Sequence, residues 1–296
     1  MIHCSGLSDH STVHHRPQNC PKTASLPSLS APVLDAAHGP SEGENHTLTK
    51  RSNLVLVQGV KLGVSSAPET NTELGMVEDS VDDMYSGCTD KMKDMQEIKE
   101  KKYEENSKVL ECSKKTPDRG DEALTENHMK AICVYTSNEI YKEFNNAVRE
   151  NKSIYKSTFK YHYLHFWLTT AIQTLNNNHH CSTTYRRSRM QFTGQVGNII
   201  RFGSFTSTSL KTNLKSFGSK TCFKITTCLG ADLKHYLILE SAEQEVLIPP
   251  YETFNITAVF KGKDKPEALK DCEVVFVLKD FGASSRLNCA LITGSP

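Results

Sequence analysis

The sequence has almost no net charge, one tryptophan, no CxxC pair among its ten cysteines, and no apolar run of membrane-spanning length. Each absence excludes something. With 35 Lys and Arg against 34 Asp and Glu, no global field steers the chain onto nucleic acid or an acidic membrane. Cysteines without close partners leave out a zinc ribbon, and His3, His10, His14, His15, His38 and His46 lack regular spacing, so no metal is expected. No GxGxxG follows a strand-like run, which removes a Rossmann dinucleotide fold. A P-loop and HExxH are missing too, and Gly203-Ser204-Phe205-Thr206-Ser207 lacks the closing glycine of a serine-hydrolase elbow.

What is present divides unevenly. Residues 1–69 are rich in Ser, Pro, His, Asn and Thr and bury too little apolar surface to offset chain entropy, so a disordered leader is expected there. Within it, Lys50-Arg51, the apolar run Leu54–Val60 and the small residues of Leu62–Ala67 follow the order of a secretory signal, interrupted at Lys61. The scattered cysteines fit long-range disulfides and an oxidising compartment, and the N-x-S/T triplets at Asn45, Asn151 and Asn255 are compatible with that. The closing residues Gly294-Ser295-Pro296 carry no hydrophobic tail for a glycolipid anchor, so secretion as a soluble protein is the expectation.

From residue 70 to 296 the pattern predicts one α+β domain, helices first and a mostly antiparallel two-sheet β-sandwich second. Residues 73–113 hold helix formers with charged faces. Ser137 reads as a cap for a helix carrying Ile140, Tyr141, Phe144 and Val148 on one stripe. Tyr161 to Leu175 reads as a buried helix, in which His165 and Trp167 are core residues rather than ligands. Beyond His180 come short alternating runs rich in Val, Ile, Thr and Phe: NIIRFGSFTSTSL, TCFKITTCL, YLILE, EVLIPP, FNITAVF and CEVVFVLKD.

Three features of this second half could carry chemistry. Arg186, in Tyr185-Arg186-Arg187, could clamp a phosphate or carboxylate with its planar fork. Ser207 and Ser209 alternate with threonines and so share one face of a strand. Glu243 and Glu245 stand two apart; on extended backbone they point the same way, with α-carbons about 6–7 Å apart. Two such carboxylates can occupy one pocket in different roles, one stabilising positive charge at a sugar carbon and one orienting a nucleophile.

Arginine, then Ser-x-Ser, then Glu-x-Glu before VLIPP resembles the ecto-mono-ADP-ribosyltransferases, the vertebrate relatives of arginine-modifying bacterial toxins. The resemblance extends through DDMYSGC (Asp82–Cys88), YTSNEIYKEFNNAVR (Tyr135–Arg149), FKYHYLHFWLTTAIQ, CSTTYRR, IRFGSFTSTSL, TCLGA, EQEVLIPPYETFNI and the terminal LNCA. It implies NAD, or NADP, as co-substrate, arginine-bearing proteins as targets, and no metal. Arg186 would hold the phosphate and ribose region, and Ser207 the nicotinamide ribose and the catalytic carboxylate. Glu245 would bond the ribose 2′-hydroxyl and stabilise the oxocarbenium-like centre. Glu243 would receive the target guanidinium, Phe217 would lie near nicotinamide, and Tyr135 near adenine. The resemblance also implies Cys88–Cys289 and Cys181–Cys228 disulfides, and assigns no partner to Cys112, Cys133, Cys222 or Cys272.

The sequence departs from the family pattern at Ser204, where a cofactor-contacting glutamine is usual, and at Arg187, where glycine is usual. Arg187 is expected to add charge beside the Arg186 clamp. The same carboxylate chemistry would serve an NAD glycohydrolase that uses water as its main acceptor. A secreted binding module keeping the fold without turnover is the reading outside enzymes.

Overall fold

The computed structural model describes residues 71–97, 117, 120–137, 140–176, 180–237 and 244–293. The leader expected in 1–69, with its signal-like stretch, lies outside the described residues, as do Cys112, Glu243 and the second half of YLILE.

Helices come first. They are α1 (Thr89–Glu97), α2 (Glu126–Tyr135), α3 (Tyr141–Glu150) and α4 (His162–Leu175). The helical character expected from residue 73 begins only at Thr89, because Thr72–Glu73 forms strand β1 and an irregular segment follows it. Ser137 does not cap α3. Its hydroxyl donates to the Val134 carbonyl at 2.7 Å, closing the end of α2, and the residue before α3 is Ile140, which makes no side-chain cap bond. Helix α4 is apolar nearly all round, and Leu164 through Ile172 are buried without a break, as suits a helix enclosed by protein.

His165 is a core residue, fully buried, accepting at Nδ1 from the Tyr85 hydroxyl (2.7 Å) and donating from Nε2 to the Val81 carbonyl (3.0 Å). Burial lowers its pKa to about 4, so the ring is neutral at physiological pH. His128 is held the same way. Thr125 N–H donates to its Nδ1 at 3.0 Å, Nε2 bonds Thr170 Oγ1 at 3.0 Å, and burial again lowers the pKa to about 4. Neither ring is poised to bind a metal, and no cluster of potential ligands occurs among the described residues.

The strands are β2 (Ser182–Ser188), β3 (Phe192–Thr193), β4 (Ile199–Ile200), β5 (Thr206–Ser209), β6 (Thr221–Thr227), β7 (Ala231–Asp232), β8 (Glu245–Ile248), β9 (Glu252–Lys261) and β10 (Val274–Ala283). They form two sheets: a small β1–β3 pair, and an eight-stranded sheet of order β4-β9-β10-β6-β2-β5-β8-β7. Every pairing in the larger sheet is antiparallel except β6 with β10, where Phe223 lies against Phe276. Packing follows from the alternation. Phe223, Ile225, Phe254, Ile256, Phe276 and Leu278 build one core with Leu74 of the segment after β1. The helices share a second core with Phe205 and Leu247, and Phe144 stacks on Phe205 at 5.5 Å between ring centres.

The segment Asp82–Cys88 ties the early chain to residues 284–289. Asp82 accepts Arg286 and Leu287 N–H groups and pairs with Arg201, whose remaining donors reach the Met76, Val77 and Ser284 carbonyls. Asp83 accepts the N–H groups of Tyr85 and Cys289 (2.9 Å each) and the Tyr155 hydroxyl at 2.8 Å. Desolvation raises its pKa to about 6 despite these bonds. Disulfides join Cys88 to Cys289, Cys181 to Cys228 and Cys222 to Cys272, and Cys133 is disulfide-bonded as well. Among the described residues no helix is long and apolar enough to cross a membrane.

Candidate active site

A cleft of about 590 Å³ opens where β2, β5 and β8 lie side by side, with the end of α2 behind them. Its position follows from register. Ser209 of β5 stands opposite Tyr185 of β2 on one side and opposite Glu245 of β8 on the other, while Ser207 faces Leu247. Ser207, Ser209 and Glu245 therefore project to one face of the sheet through the period-two alternation of paired strands. All three line the cleft, as does Arg186.

Arg186 is half-buried, and its Nη1 donates to the Ser207 carbonyl at 2.6 Å. That bond locks the guanidinium to the strand carrying the serines. Its other donors meet no protein acceptor among the described residues. Tyr135 is fully buried beneath them. Its hydroxyl donates to the Phe205 carbonyl at 3.1 Å and receives a bond from Asn145 Nδ2 at 3.2 Å. Burial holds this phenol far above its ordinary pKa, so it stays neutral; Ser207 and Glu245 are both close enough to act on it. Tyr135 thus supports the Ser207–Glu245 end of the cleft, which departs from the adenine-side place that the resemblance implied for it.

Three sequence expectations need revision. First, the backbone between the two glutamates is not extended. Gln244 has φ +50°, in the left-handed region, and β8 begins only at Glu245. Strand alternation therefore fails to link Glu243 to Glu245, and Glu243 itself is outside the described residues. The left-handed turn is locked from β5: Leu210 N–H donates to the Gln244 carbonyl at 3.1 Å.

Second, Ser204 does not reach the cleft. It is 2% exposed, and its hydroxyl accepts from Arg149 Nη2 at 2.8 Å. Third, Arg187 does not add free charge beside Arg186. It lines the cleft, but its side chain is buried and its charge is paired with Asp271. Phe217 is where a cleft-lining aromatic should be, at the rim and 49% exposed.

The cleft also includes residues that pattern reading missed. Tyr141, Arg189, Lys211, Leu214 and Leu237 line it. Lys211 stands two residues past the serine strand, but a lone lysine after a strand carries no signal by itself. Together with Arg186, Arg189 and Lys211 make one wall basic, a surface suited to phosphate groups. The same cleft offers the Glu245 carboxylate and the Ser207 and Ser209 hydroxyls.

The sequence profile of the NAD:arginine ADP-ribosyltransferase family matches residues 74–269. The chain is 31% identical over 266 residues to ecto-ADP-ribosyltransferase 4 of Mus musculus, covering 81% of this chain and 83% of that protein. It is 32% identical over 227 residues to the erythroblast NAD(P)(+)–arginine ADP-ribosyltransferase of Gallus gallus, covering 69% and 75%. Its fold is similar to that of a mutant of the eukaryotic mono-ADP-ribosyltransferase ART2.2 crystallised with NADH. The TM-score is 0.60 at 28% identity, over 74% of this chain and 98% of that one. The chain belongs to the NAD:arginine ADP-ribosyltransferase family.

Proposed function

We propose that the domain spanning about residues 70–296 transfers ADP-ribose from NAD to the guanidinium of arginine in target proteins, releasing nicotinamide. The observation that carries this reading is the convergence of Arg186, Ser207 and Glu245 on one cleft, Ser207 and Glu245 through the pairing of β5 with β8 and Arg186 through its bond to the Ser207 carbonyl. Family membership supplies the substrate class. The same wall accommodates NADP, since the relatives' NAD(P) designation covers both dinucleotides.

The chemistry follows from charge. Breaking the N-glycosidic bond sends its electron pair out with nicotinamide and leaves positive charge on the ribose carbon. Glu245, fixed at the start of a paired strand, stabilises that charge and accepts from the ribose hydroxyl. Arg186 and the basic wall hold the pyrophosphate, and Ser207 steadies the ribose end of the cleft. Phe217 covers the nicotinamide side, and Tyr135 acts from below through Ser207. Glu243 orients the incoming guanidinium, whose nitrogen forms the new bond to carbon and loses a proton. Disulfides and the ecto naming of a relative support work in an extracellular or secretory setting; secretion in soluble form belongs to the same reading.

The decisive test is nicotinamide release and labelling of polyarginine by the purified chain with radiolabelled NAD. Glu245→Gln should lower both by about a hundred- to a thousandfold, the usual effect of losing one transition-state contact. Glu243→Gln should lower transfer while leaving hydrolysis largely intact. Equal loss of both activities in the Glu243 variant would remove the proposed division of roles. Nicotinamide release without label on polyarginine would instead assign a glycohydrolase.

A further inference from the structure

Arg187 is the most heavily engaged side chain beside the cleft, and the reaction outlined above gives it no part. Its side chain is 3% exposed. Nε and Nη2 both donate to the Thr212 carbonyl, at 3.0 and 2.9 Å. Nη1 and Nη2 form a two-pronged pair with Asp271, at 2.8 and 3.1 Å. Nη1 also lies 3.4 Å from Cys272 Sγ and 3.9 Å from Cys222 Sγ, the two halves of a disulfide.

Thr212 sits within the loop that supplies Lys211, Leu214 and Phe217 to the cleft. This loop, 210–218, has little structure of its own beyond a short 3-10 turn at Lys215–Phe217. The residue just past β2 secures it again farther along, where Arg189 Nη2 donates to the Ser216 carbonyl at 2.8 Å. Gly218 completes the seat. Its φ is +121°, and a Cβ there would come within 2.6 Å of the Arg189 and Ser188 backbone. Arg186, Arg187 and Arg189 thus bind the carbonyls of Ser207, Thr212 and Ser216 in sequence.

We infer that Arg187 is a positioning residue for dinucleotide binding, a strut that fixes the Lys211–Phe217 wall by joining the Thr212 carbonyl to Asp271 beside the Cys222–Cys272 bridge. The planar fork is needed, because one guanidinium must serve a carbonyl and a carboxylate at once. A lysine has a single nitrogen and cannot reproduce that geometry. The Arg187 guanidinium in turn holds the Asp271 carboxyl below the usual carboxylate range. Because the wall contacts the dinucleotide before and during reaction, its loss weakens binding more than it slows bond breaking. This rests on the reading of the cleft as an NAD site.

The test uses the purified full chain in steady-state nicotinamide release, with limited trypsin digestion followed by mass spectrometry. Arg187→Gln is expected to raise KM for NAD about tenfold with kcat within about threefold, and Asp271→Asn to raise KM about threefold. The double variant should be no worse than Arg187→Gln alone, since both remove one strut. Cleavage after Lys211 and Lys215 should quicken in each. Arg187→Lys should behave like Arg187→Gln, showing that shape rather than charge matters. Should Arg187→Gln fail to fold, Arg187→Lys and the partly exposed Asp271→Asn carry the test. An unchanged KM with wild-type trypsin resistance, or a fall confined to kcat, overturns the inference. A wild-type protein that releases no nicotinamide sinks the proposed reaction instead, and the trypsin arm still decides the strut.

Discussion

Two arginines, fifteen positions apart, sit on backbone carbonyls in very different company. Arg201 has a side chain 1% exposed, pairs with a fully buried Asp82, and donates to the Met76, Val77 and Ser284 carbonyls. Arg186 is half-buried and bonds one carbonyl, that of Ser207. The first is a saturated charge: every arm has an acceptor inside the protein, so it can only hold the chain together. The second is anchored by one arm and keeps the rest of its fork for something that arrives. The same residue type becomes structural or functional according to how many of its donors the fold consumes.

The largest effect should come from breaking the saturated member. Arg201→Met strands the Asp82 carboxylate in a fully buried site and should cost about 3–5 kcal/mol of stability, readable by urea titration. Arg186→Met, by contrast, should leave the unfolding midpoint nearly unmoved while nicotinamide release falls about a hundredfold. If both variants lose stability equally, the contrast between them fails. Equal loss of activity at unchanged stability would break it from the other side.

Glu252 sharpens the same contrast among carboxylates at a smaller scale. It is fully buried and satisfied by Thr227 Oγ1 at 2.6 Å and by the N–H groups of Cys228 and Leu229 at 2.7 and 3.1 Å. Burial nonetheless raises its pKa from 4.5 to about 8. The folded chain then keeps this proton over a range where the unfolded chain has lost it. Its contribution to stability is therefore greatest below 4.5 and declines as pH rises toward 8. Glu252→Gln should flatten that decline by a few degrees of Tm between acid and neutral pH, measured by calorimetry. A slope identical to wild type would show that Glu252 does not titrate there.

The sequence spoke clearly wherever the pattern was local. The apolar residues Leu164, Phe166, Trp167, Leu168, Ala171 and Ile172 announced a buried helix, and alternation marked β6, β9 and β10. Motif order singled out Arg186, Ser207 and Glu245, and the fold brings them to one cleft through the β5–β8 register and the bond of Arg186 to the Ser207 carbonyl. Reading failed where tertiary geometry decides. Gln244 breaks the extended path through a left-handed residue with no glycine to signal it. Ser137 looks like a helix start but finishes the preceding helix. The parallel β6–β10 pairing, and the Cys222–Cys272 bridge near its edge, join segments about fifty residues apart that carry no mutual mark. Ser204 is close to the cleft residues in sequence but gives its hydroxyl to Arg149, and Arg187 lines the cleft with its charge already taken by Asp271.

The Cys88–Cys289 bridge spans 201 positions and encloses the eight-stranded sheet and all four described helices in one covalent ring. A pull applied outside that ring, from before Cys88 and beyond Cys289, travels through the sulfur–sulfur bond and bypasses β2, β5 and β8. The domain should therefore behave under tension as a short rigid link. Its extension would be that of the flanking segments alone, and the reactive cleft would carry none of the load.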